Sequence, residues 1–332
     1  MRPNLAIVPS TPPTGPAPID FERINADQVH DVVAWMHRDT SGDVAWPWRS
    51  LNSLIGPMVP GEMHFVGALT GNGKSSVLMS LMDQLLQQGI GVLYLPLELP
   101  PRACRMRWAA WRLGLPYGPA YRGQWELLQP DTRERLIRQA EADALLPVSF
   151  CPERRLTPGA IERWATAAMS QFGAKVLIVD HLHRLDAGDV RFLRQNLADS
   201  VRMLSDMTQA LKIVTCAALQ LNRTGDPLDD FVPPTLDRIR ETSAIADEAT
   251  TVTMLSRQLS SDADPGMIAN ARRDKIVPPA LMEPHAIRLT CRKDRVGDAR
   301  GRGVTLRIDD GRVTEPASYY RGAPVPEPDG GA

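Results

Sequence analysis

The chain has 332 residues, 43% of them hydrophobic, and a formal net charge of −1. This composition supports a sizeable core and excludes a protein that attracts nucleic acid through an overall positive field. The four cysteines show no paired spacing, and no stretch approaches about 18 uninterrupted apolar residues. We therefore expect a cytoplasmic protein with neither structural zinc nor a membrane partner.

The two ends of the chain are rich in proline, and we predict a disordered arm over residues 1–19 and a flexible tail over residues 317–332. A helical pattern follows the arm between residues 20 and 38. Its apolar residues gather largely on one side and are Phe21, Ile24, Val29, Val32, Val33 and Met36. Two alternatives stay open: this face covers the core of its own chain, or it docks on a neighbouring subunit.

Residues 66–76, with the sequence VGALTGNGKSS, fit a phosphate-binding loop. An apolar strand precedes the loop, and an amphipathic helix that ends at Gly89 follows it. Small residues let backbone N–H groups wrap a β-phosphate, while Lys74 reaches the β/γ oxygens and the Ser75 hydroxyl binds Mg²⁺. The alternative is that the glycines only form a tight turn. The residues predicted to bind the nucleotide are Thr70, Gly71, Asn72, Gly73, Lys74, Ser75 and Ser76.

From Trp48 onward, segments with the patterns of strands and helices alternate. We therefore predict an α/β fold in one large domain, with a mainly parallel sheet and helices on both faces. The predicted strands span residues 63–69, 91–97, 175–180, 212–220, 250–256, 286–292 and 304–309. Several helical stretches and one short apolar piece, residues 147–151, fill the segment 101–172.

Polar residues end three of the predicted strands, and parallel strands deliver such residues to one sheet edge. Asp180 ends VLIVD, where a carboxylate beside a phosphate loop would hold Mg²⁺, although it could instead cap a turn. Glu98 ends GVLYLPLE, and it could deprotonate an attacking water or be an ordinary surface glutamate. The Gln220 amide could sense a γ-phosphate. Together with Lys74, these residues predict a hydrolase of nucleoside triphosphates.

A burst of basic residues follows the predicted strand at 286–292. Alternation places Lys293 and Arg295 on one face of that strand. Two interpretations stay open. The pair is either a solvated basic edge that protects the sheet against aggregation, or an arginine finger that reaches the triphosphate of a neighbouring subunit.

The order of these motifs resembles the RecA-like ATPase domain of the DnaB-type ring helicases. The similarity covers about residues 45–315 and does not rest on the phosphate loop alone. The segments that carry it are PWRSLNSLIGPMVPGEMHFVGALTGNGKSS, LPLELP, LIVDHLHRL, ALQLNR, IRETSAI and RKDRVG. The resemblance implies a RecA-like P-loop NTPase domain over residues 45–316, preceded by a linker helix within residues 20–44.

The resemblance also implies roles for individual residues. Glu98 matches the family's catalytic base, and Gln220 matches the glutamine of its Ser-Gln-Leu-Asn-Arg motif. The basic pair near the end of the chain matches a lysine and an arginine that act in trans. One departure is Ser243, which stands where the DNA-contacting loop of the family usually has glycine. From the same loop, the resemblance implies that the DNA backbone is held by Arg240, Glu241 and Thr242.

The function implied is that of an ATP-dependent helicase or translocase on single-stranded DNA in replication. The resemblance implies a homo-oligomeric ring, a hexamer, with ATP and Mg²⁺ between subunits and with a primase or a helicase loader as a partner. Two rivals share the motifs: a RecA-like DNA repair or recombination ATPase, and a regulatory ATPase of the same fold that never unwinds DNA. The DNA-loop motif and the Lys-x-Arg pair favour the helicase.

Overall fold

The computed structural model describes residues 21–185, 193–239 and 244–316, and their side chains outside 21–26 and 193–196. The predicted arm and tail lie outside these residues. The chain divides into two units, residues 1–42 and 43–332. In the first unit, helix α1 spans Phe21–Met36 and confirms the predicted helix. What covers its apolar face stays a prediction; the exposed apolar side chains are Val29, Val32, Val33, Trp35 and Met36.

The second unit alternates helices and strands. Its helices are α2 Arg49–Ile55, α3 Lys74–Gln87, α4 Pro101–Arg112, α5 Tyr117–Arg122, α6 Thr132–Asp143, α7 Pro158–Phe172, α8 Leu193–Leu211, α9 Ala244–Glu248 and α10 Pro265–Asp274. Its strands are β1 Met63–Ala68, β2 Gly91–Pro96, β3 Val148–Phe150, β4 Ala174–Asp180, β5 Val214–Gln220, β6 Thr251–Leu259, β7 Met282–Asp294, β8 Gly303–Asp309 and β9 Arg312–Thr314. Among the described residues, no helix has the length and apolarity to cross a bilayer.

The strands of the described residues form one sheet in the order β3-β2-β4-β5-β1-β6-β7-β8-β9. Neighbours from β3 to β6 are parallel, whereas β7, β8 and β9 pair antiparallel. The predicted mainly parallel sheet is confirmed. Strand β7 begins four residues before its predicted start, because Glu283, Pro284 and His285 interrupt the apolar run by which the strand is recognised.

Both faces of the sheet are buried, and β5 shows how alternation divides its side chains. Val214, Cys216 and Ala218 pack in a cluster that includes residues of α2, α3 and α4. Ala217 and Leu219 point to the other face and pack in a cluster that includes residues of α7 and α8. A strand buried on both faces carries a nearly continuous apolar run, which is why these strands stand out in the sequence.

Helix α7 is bounded by strong local signals and leads directly into β4. The Thr157 hydroxyl caps its first turn by accepting a hydrogen bond from the backbone N–H of Ala160 at 3.3 Å, and Pro158 occupies the first helical position. Gly173 ends the helix in the left-handed region at φ 67°. The chain then enters β4 and ends that strand at Asp180.

Candidate active site

Four neighbouring parallel strands, β2, β4, β5 and β1, end at one edge of the sheet. Their register pairs Pro96 with Asp180 and Ala68 with Gln220. Glu98 follows the end of β2 by two residues, and the phosphate-binding loop follows β1. The predicted convergence at one sheet edge is therefore present, and we call this edge the nucleotide edge.

The loop after β1 folds around the ammonium group of its own lysine, Lys74. Gly71 and Gly73 have φ values of 90° and 95°, a region that favours glycine. A side chain at Gly73 would also meet Ile308, because its Cβ would lie 2.9 Å from the Ile308 Cδ1 atom. Lys74 Nζ donates hydrogen bonds to the carbonyl oxygens of Ala68 at 2.9 Å and Leu69 at 3.2 Å. The ammonium group is thus held inside the loop.

Charge and burial act in opposite directions on that lysine. Burial lowers the pKa of Lys74 below its ordinary value, while the carboxyl groups of Asp180 and Glu98 raise it. The residue is 8% exposed, so an anion that enters the loop would meet an ammonium group from which most water is excluded. A positive charge in such a position attracts a phosphate more strongly than a solvated one.

Asp180 lies buried beneath the loop. Its Oδ2 atom accepts a hydrogen bond from the Tyr94 hydroxyl at 2.9 Å, whereas its Oδ1 atom is buried and has no hydrogen-bond partner among the described residues. Burial raises the pKa of Asp180 above its ordinary value. The hydroxyls of Ser75 and Tyr94 stabilise the charged carboxylate and act in the opposite direction. A buried carboxylate oxygen without a partner beside a serine hydroxyl fits a Mg²⁺ ion or its bound water.

Glu98 is more accessible than its neighbours, with 49% of its side chain exposed. Its Oε2 atom lies 3.8 Å from Nε2 of His181. Its backbone carbonyl accepts a hydrogen bond from the Arg154 guanidinium at 2.7 Å. This bond holds the backbone at Glu98, two residues after the end of β2. The carboxylate therefore reaches the solvent at the same edge as the loop, as a base that activates water must.

Gln220 connects the phosphate-binding loop to the segment after β5. Its Nε2 atom donates to the Thr70 hydroxyl at 2.6 Å. Arg223 donates to the backbone carbonyl of Thr70 at 3.4 Å and forms an ion pair with Asp230 at 3.2 Å. Thr70 is thus a contact point through which a change at the loop can reach residues 220–230.

Lys293 and Arg295 do not lie at the nucleotide edge. In the register of β6 and β7, Val252 pairs with Lys293, and Thr251 pairs with His64 near the start of β1. Val252 pairs with Phe65, so Lys293 lies level with the third residue of β1, and Arg295 lies two residues farther from the loop. At about 3.3 Å per residue, roughly 10 Å of strand separates the level of Lys293 from the end of β1, and roughly 17 Å separates the level of Arg295 from it. The subunit therefore does not bring this basic pair to its own phosphate-binding loop.

At the opposite edge, the basic pair contacts the short helix α9. Lys293 Nζ donates to the carbonyl oxygens of Ala246 and Asp247, and the Arg295 guanidinium donates to the carbonyl oxygen of Asp247. Burial and the nearby Arg295 charge lower the pKa of Lys293. Hydrogen bonds to the C-terminal carbonyls of a helix suit cationic side chains.

The predicted DNA contacts Arg240, Glu241 and Thr242 lie outside the described residues. The residues on either side of them are described. Ile239 pairs with Leu221 next to the end of β5, and α9 begins at Ala244. Of the described residues that flank this segment, Ile239 thus lies by the nucleotide edge, and Ala244 belongs to the helix that holds the basic pair.

Two side chains of the site are not predicted by any motif in the sequence. Tyr94 lies inside the apolar run of β2, where a polar group in a buried strand is the only signal of its role. Arg107 on α4 donates to the Ser76 hydroxyl at 3.0 Å, and no spacing in the sequence indicates that contact. Both depend on elements that are brought together by the fold.

Comparison with protein families finds one match over most of the chain. The family model described as the DnaB-like helicase C terminal domain matches residues 44–305. A search of curated proteins finds no significant match.

Solved structures superpose on most of the chain. One, described as an ATPase domain, has a TM-score of 0.68 at 13% identity, and the alignment covers 89% of this chain and 98% of that chain. Another, described as a DnaB-like replicative helicase and its interactions with primase, has a TM-score of 0.68 at 14% identity, with coverages of 91% and 68%. A KaiC-like protein from Pyrococcus horikoshii has a TM-score of 0.52 at 14% identity, with coverages of 82% and 97%. At these identities the likeness shows a RecA-like P-loop NTPase fold.

Proposed function

Because the chain belongs to the DnaB-like helicase family, whose members are ATP-hydrolysing DNA helicases, we propose that it works as a homo-oligomeric ring, a hexamer, on single-stranded DNA. Residues 45–316 would form the ATPase domain, and residues 20–44 would contain a linker helix. ATP and Mg²⁺ would bind between subunits. The observation that carries this proposal is the position of the basic pair on the sheet edge opposite the phosphate-binding loop.

The nucleotide edge supplies the binding groups. Backbone N–H groups of residues 70–76 would surround the phosphates, with the Lys74 ammonium on the β/γ oxygens. Ser75 and Asp180 would hold Mg²⁺, which when bound neutralises charge on the phosphates. Glu98 would accept a proton from the attacking water, since its carboxylate is exposed at this edge.

The basic pair would complete a neighbouring site. The loop begins at the end of β1, roughly 17 Å along the sheet from the level of Arg295 and roughly 10 Å from the level of Lys293. A head-to-tail ring joins one surface of each subunit to a different surface of the next. In such a ring the opposite edge of one subunit can meet the nucleotide edge of another. An arginine that enters in trans is worth about 10³ to 10⁵ in turnover.

DNA binding would be coupled to the nucleotide through the contact of Gln220 with the loop and through helix α9, which follows the proposed DNA-binding residues in the chain. Gln220 contacts the loop at Thr70, and the segment 240–243 ends at α9, whose carbonyls hold the basic pair. Arg240, Glu241 and Thr242 would hold the DNA backbone. Phosphate contacts carry no sequence information, so we expect sequence-tolerant binding that weakens as salt rises.

A primase or a helicase loader is the proposed protein partner. The support is a solved structure of the same fold, described as a DnaB-like replicative helicase and its interactions with primase. The exposed apolar face of α1 would serve assembly of the ring, as a linker helix that docks on a neighbouring subunit.

The trans arrangement can be tested with mixed rings. Lys74→Ala removes the loop ammonium, and Arg295→Ala removes the guanidinium, so each variant alone should be inactive. In a ring assembled from equal amounts of both, about a quarter of the interfaces combine an intact loop with an intact neighbouring arginine. ATP turnover should therefore reappear on mixing, with subunit exchange verified by fluorescence energy transfer. Wild type mixed with Lys74→Ala provides the reference.

Two results would overturn the proposal. A mixture as inactive as either variant, with exchange verified, would mean that the Lys74 and Arg295 of one and the same subunit act together. ATP turnover by the wild type that single-stranded DNA does not stimulate would instead favour a regulatory ATPase of this fold.

A further inference from the structure

A buried tyrosine lies beside the aspartate of the candidate metal site. Tyr94 is fully buried, and its hydroxyl donates to Oδ2 of Asp180 at 2.9 Å. The two residues lie on adjacent parallel strands, where Tyr94 pairs with Ile178 and Pro96 pairs with Asp180. Tyr94 and Asp180 therefore point to the same face of the sheet, two positions apart, and the long phenol spans that offset.

Packing holds the phenol in place. The Tyr94 ring lies against Phe150, with 5.4 Å between ring centroids, and Phe150 in turn lies 6.1 Å from the ring of Trp108. Trp108 is itself held by a hydrogen bond from its indole N–H to Asp83 at 2.9 Å. Because these rings are buried, the hydroxyl has little freedom to move away from the carboxylate.

The hydrogen bond leaves the two oxygens of Asp180 in different situations. Tyr94 occupies Oδ2, while Oδ1 is buried without a partner among the described residues. A phenol ordinarily loses its proton only at a pH of about 10, so at neutral pH the Tyr94 hydroxyl is the donor and the carboxylate is the acceptor. A buried acceptor without a partner indicates a bound group, such as an ion or a water.

We propose that Tyr94 is a positioning residue for Mg²⁺: by donating to Oδ2, it fixes the rotation of the Asp180 carboxylate and reserves Oδ1 for the metal or its bound water. This inference rests on the proposed metal site at Ser75 and Asp180. Groups that orient a metal-ligating carboxylate typically contribute about 10-fold to 100-fold in metal affinity. We expect an effect within that range.

A simpler role for Tyr94 predicts a different result. A buried tyrosine needs an acceptor for its hydroxyl, and Asp180 could be only the nearest one. In that case, removing the hydroxyl changes the stability of the fold but leaves the affinity for metal unchanged. Metal affinity and stability must therefore be measured separately.

Three variants separate these roles. Tyr94→Phe removes only the hydroxyl. Phe150→Leu alters packing against the same ring without touching the carboxylate, and it is the matched control. Asp180→Asn tests the metal site itself. For each full-length variant, Mn²⁺ binding to the ADP complex is followed by electron paramagnetic resonance, and ADP affinity and thermal unfolding are measured in EDTA.

The expected result is a loss of about 10-fold in Mn²⁺ affinity for Tyr94→Phe, or about 1.4 kcal/mol. Its affinity for ADP in EDTA should equal that of the wild type, and Phe150→Leu, which keeps the hydroxyl, should lose less Mn²⁺ affinity than Tyr94→Phe. The inference fails if Tyr94→Phe binds Mn²⁺ as tightly as Phe150→Leu while Asp180→Asn binds it weakly. If Asp180→Asn also keeps the wild-type affinity, the proposed metal site itself is wrong.

Discussion

The two edges of the sheet carry polar and charged residues that have different kinds of partner. At the nucleotide edge, Lys74 and Gln220 form hydrogen bonds with residues at the phosphate-binding loop. Asp180 accepts a hydrogen bond from the buried Tyr94. At the opposite edge, Lys293 and Arg295 contact the carbonyls of α9. The first group forms a site within one chain, whereas the second has no phosphate-binding loop near it among the described residues of its own subunit.

Strand direction produces this difference. Strands β2, β4, β5 and β1 are parallel, so their carboxyl ends meet at one edge. Strand β7 runs antiparallel to β6, so its carboxyl end lies at the other edge. A polar residue after a strand therefore belongs to the site of its own subunit only if that strand runs with the others.

The largest effect is expected from Arg295→Ala, which tests whether the basic pair serves a neighbouring subunit. If the arginine acts only in trans, turnover should fall by about 10³-fold to 10⁵-fold while ADP affinity stays at the wild-type value. Steady-state ATPase assays and a fluorescent ADP analogue measure the two quantities. Arg302→Ala is the control, because Arg302 is exposed and its described ion pair is with Asp298. An equal loss of ADP affinity would show that Arg295 belongs to its own subunit's site.

Glu98→Gln tests whether the nucleotide edge supplies the general base. Removing a general base should lower the rate of hydrolysis by about 10²-fold to 10⁴-fold. Nucleotide binding should be kept, since the Glu98 carboxylate is half exposed and lies beside His181. Single-turnover hydrolysis measures the chemical step. Glu126→Gln, which alters a glutamate of a different segment, should react like the wild type. Hydrolysis by Glu98→Gln at the wild-type rate would assign the base elsewhere.

Gln220→Ala should weaken the coupling between nucleotide binding and DNA binding. The hydrogen bond between Gln220 and Thr70 links the loop to the segment after β5. Without it, the ratio of single-stranded DNA affinities with an ATP analogue and with ADP should fall toward one, from a coupling of about 5-fold to 150-fold. Fluorescence anisotropy in both nucleotide states measures the ratio. Gln209→Ala, on the exposed side of α8, should leave the ratio unchanged.

The smallest effect is expected from Thr157→Ala, which touches neither edge. Loss of the cap on α7 should lower the free energy of unfolding by about 1 kcal/mol, without changing ATP turnover at temperatures far below unfolding. Asp264→Ala, which removes the equivalent cap of α10, should give a loss of similar size. Denaturant unfolding measures both. A fall in turnover with Thr157→Ala would show that α7 contributes to the site beyond its support of β4.

The sequence predicts the nucleotide edge well because local signals specify it. The loop glycines adopt positive φ values that side chains disfavour, and the apolar runs of β1, β4 and β5 end in residues that their patterns already mark. For Asp180 and Gln220, the strand and its final residue follow from a few adjacent positions. Their arrival at a common edge follows from the alternation of strands and helices.

Other parts of the site depend on residues far apart in the chain. The contacts of Tyr94 with Asp180 and of Gln220 with Thr70 join positions 86 and 150 residues apart. The antiparallel direction of β7 comes from its pairing with β6, and no local pattern of apolar residues records strand direction. The sequence by itself thus determined the loop and the strand-end residues, since backbone preference and alternation act over a few residues. Only the tertiary structure decided which of them meet and that the basic pair lies on the opposite edge, since long-range strand pairing sets both.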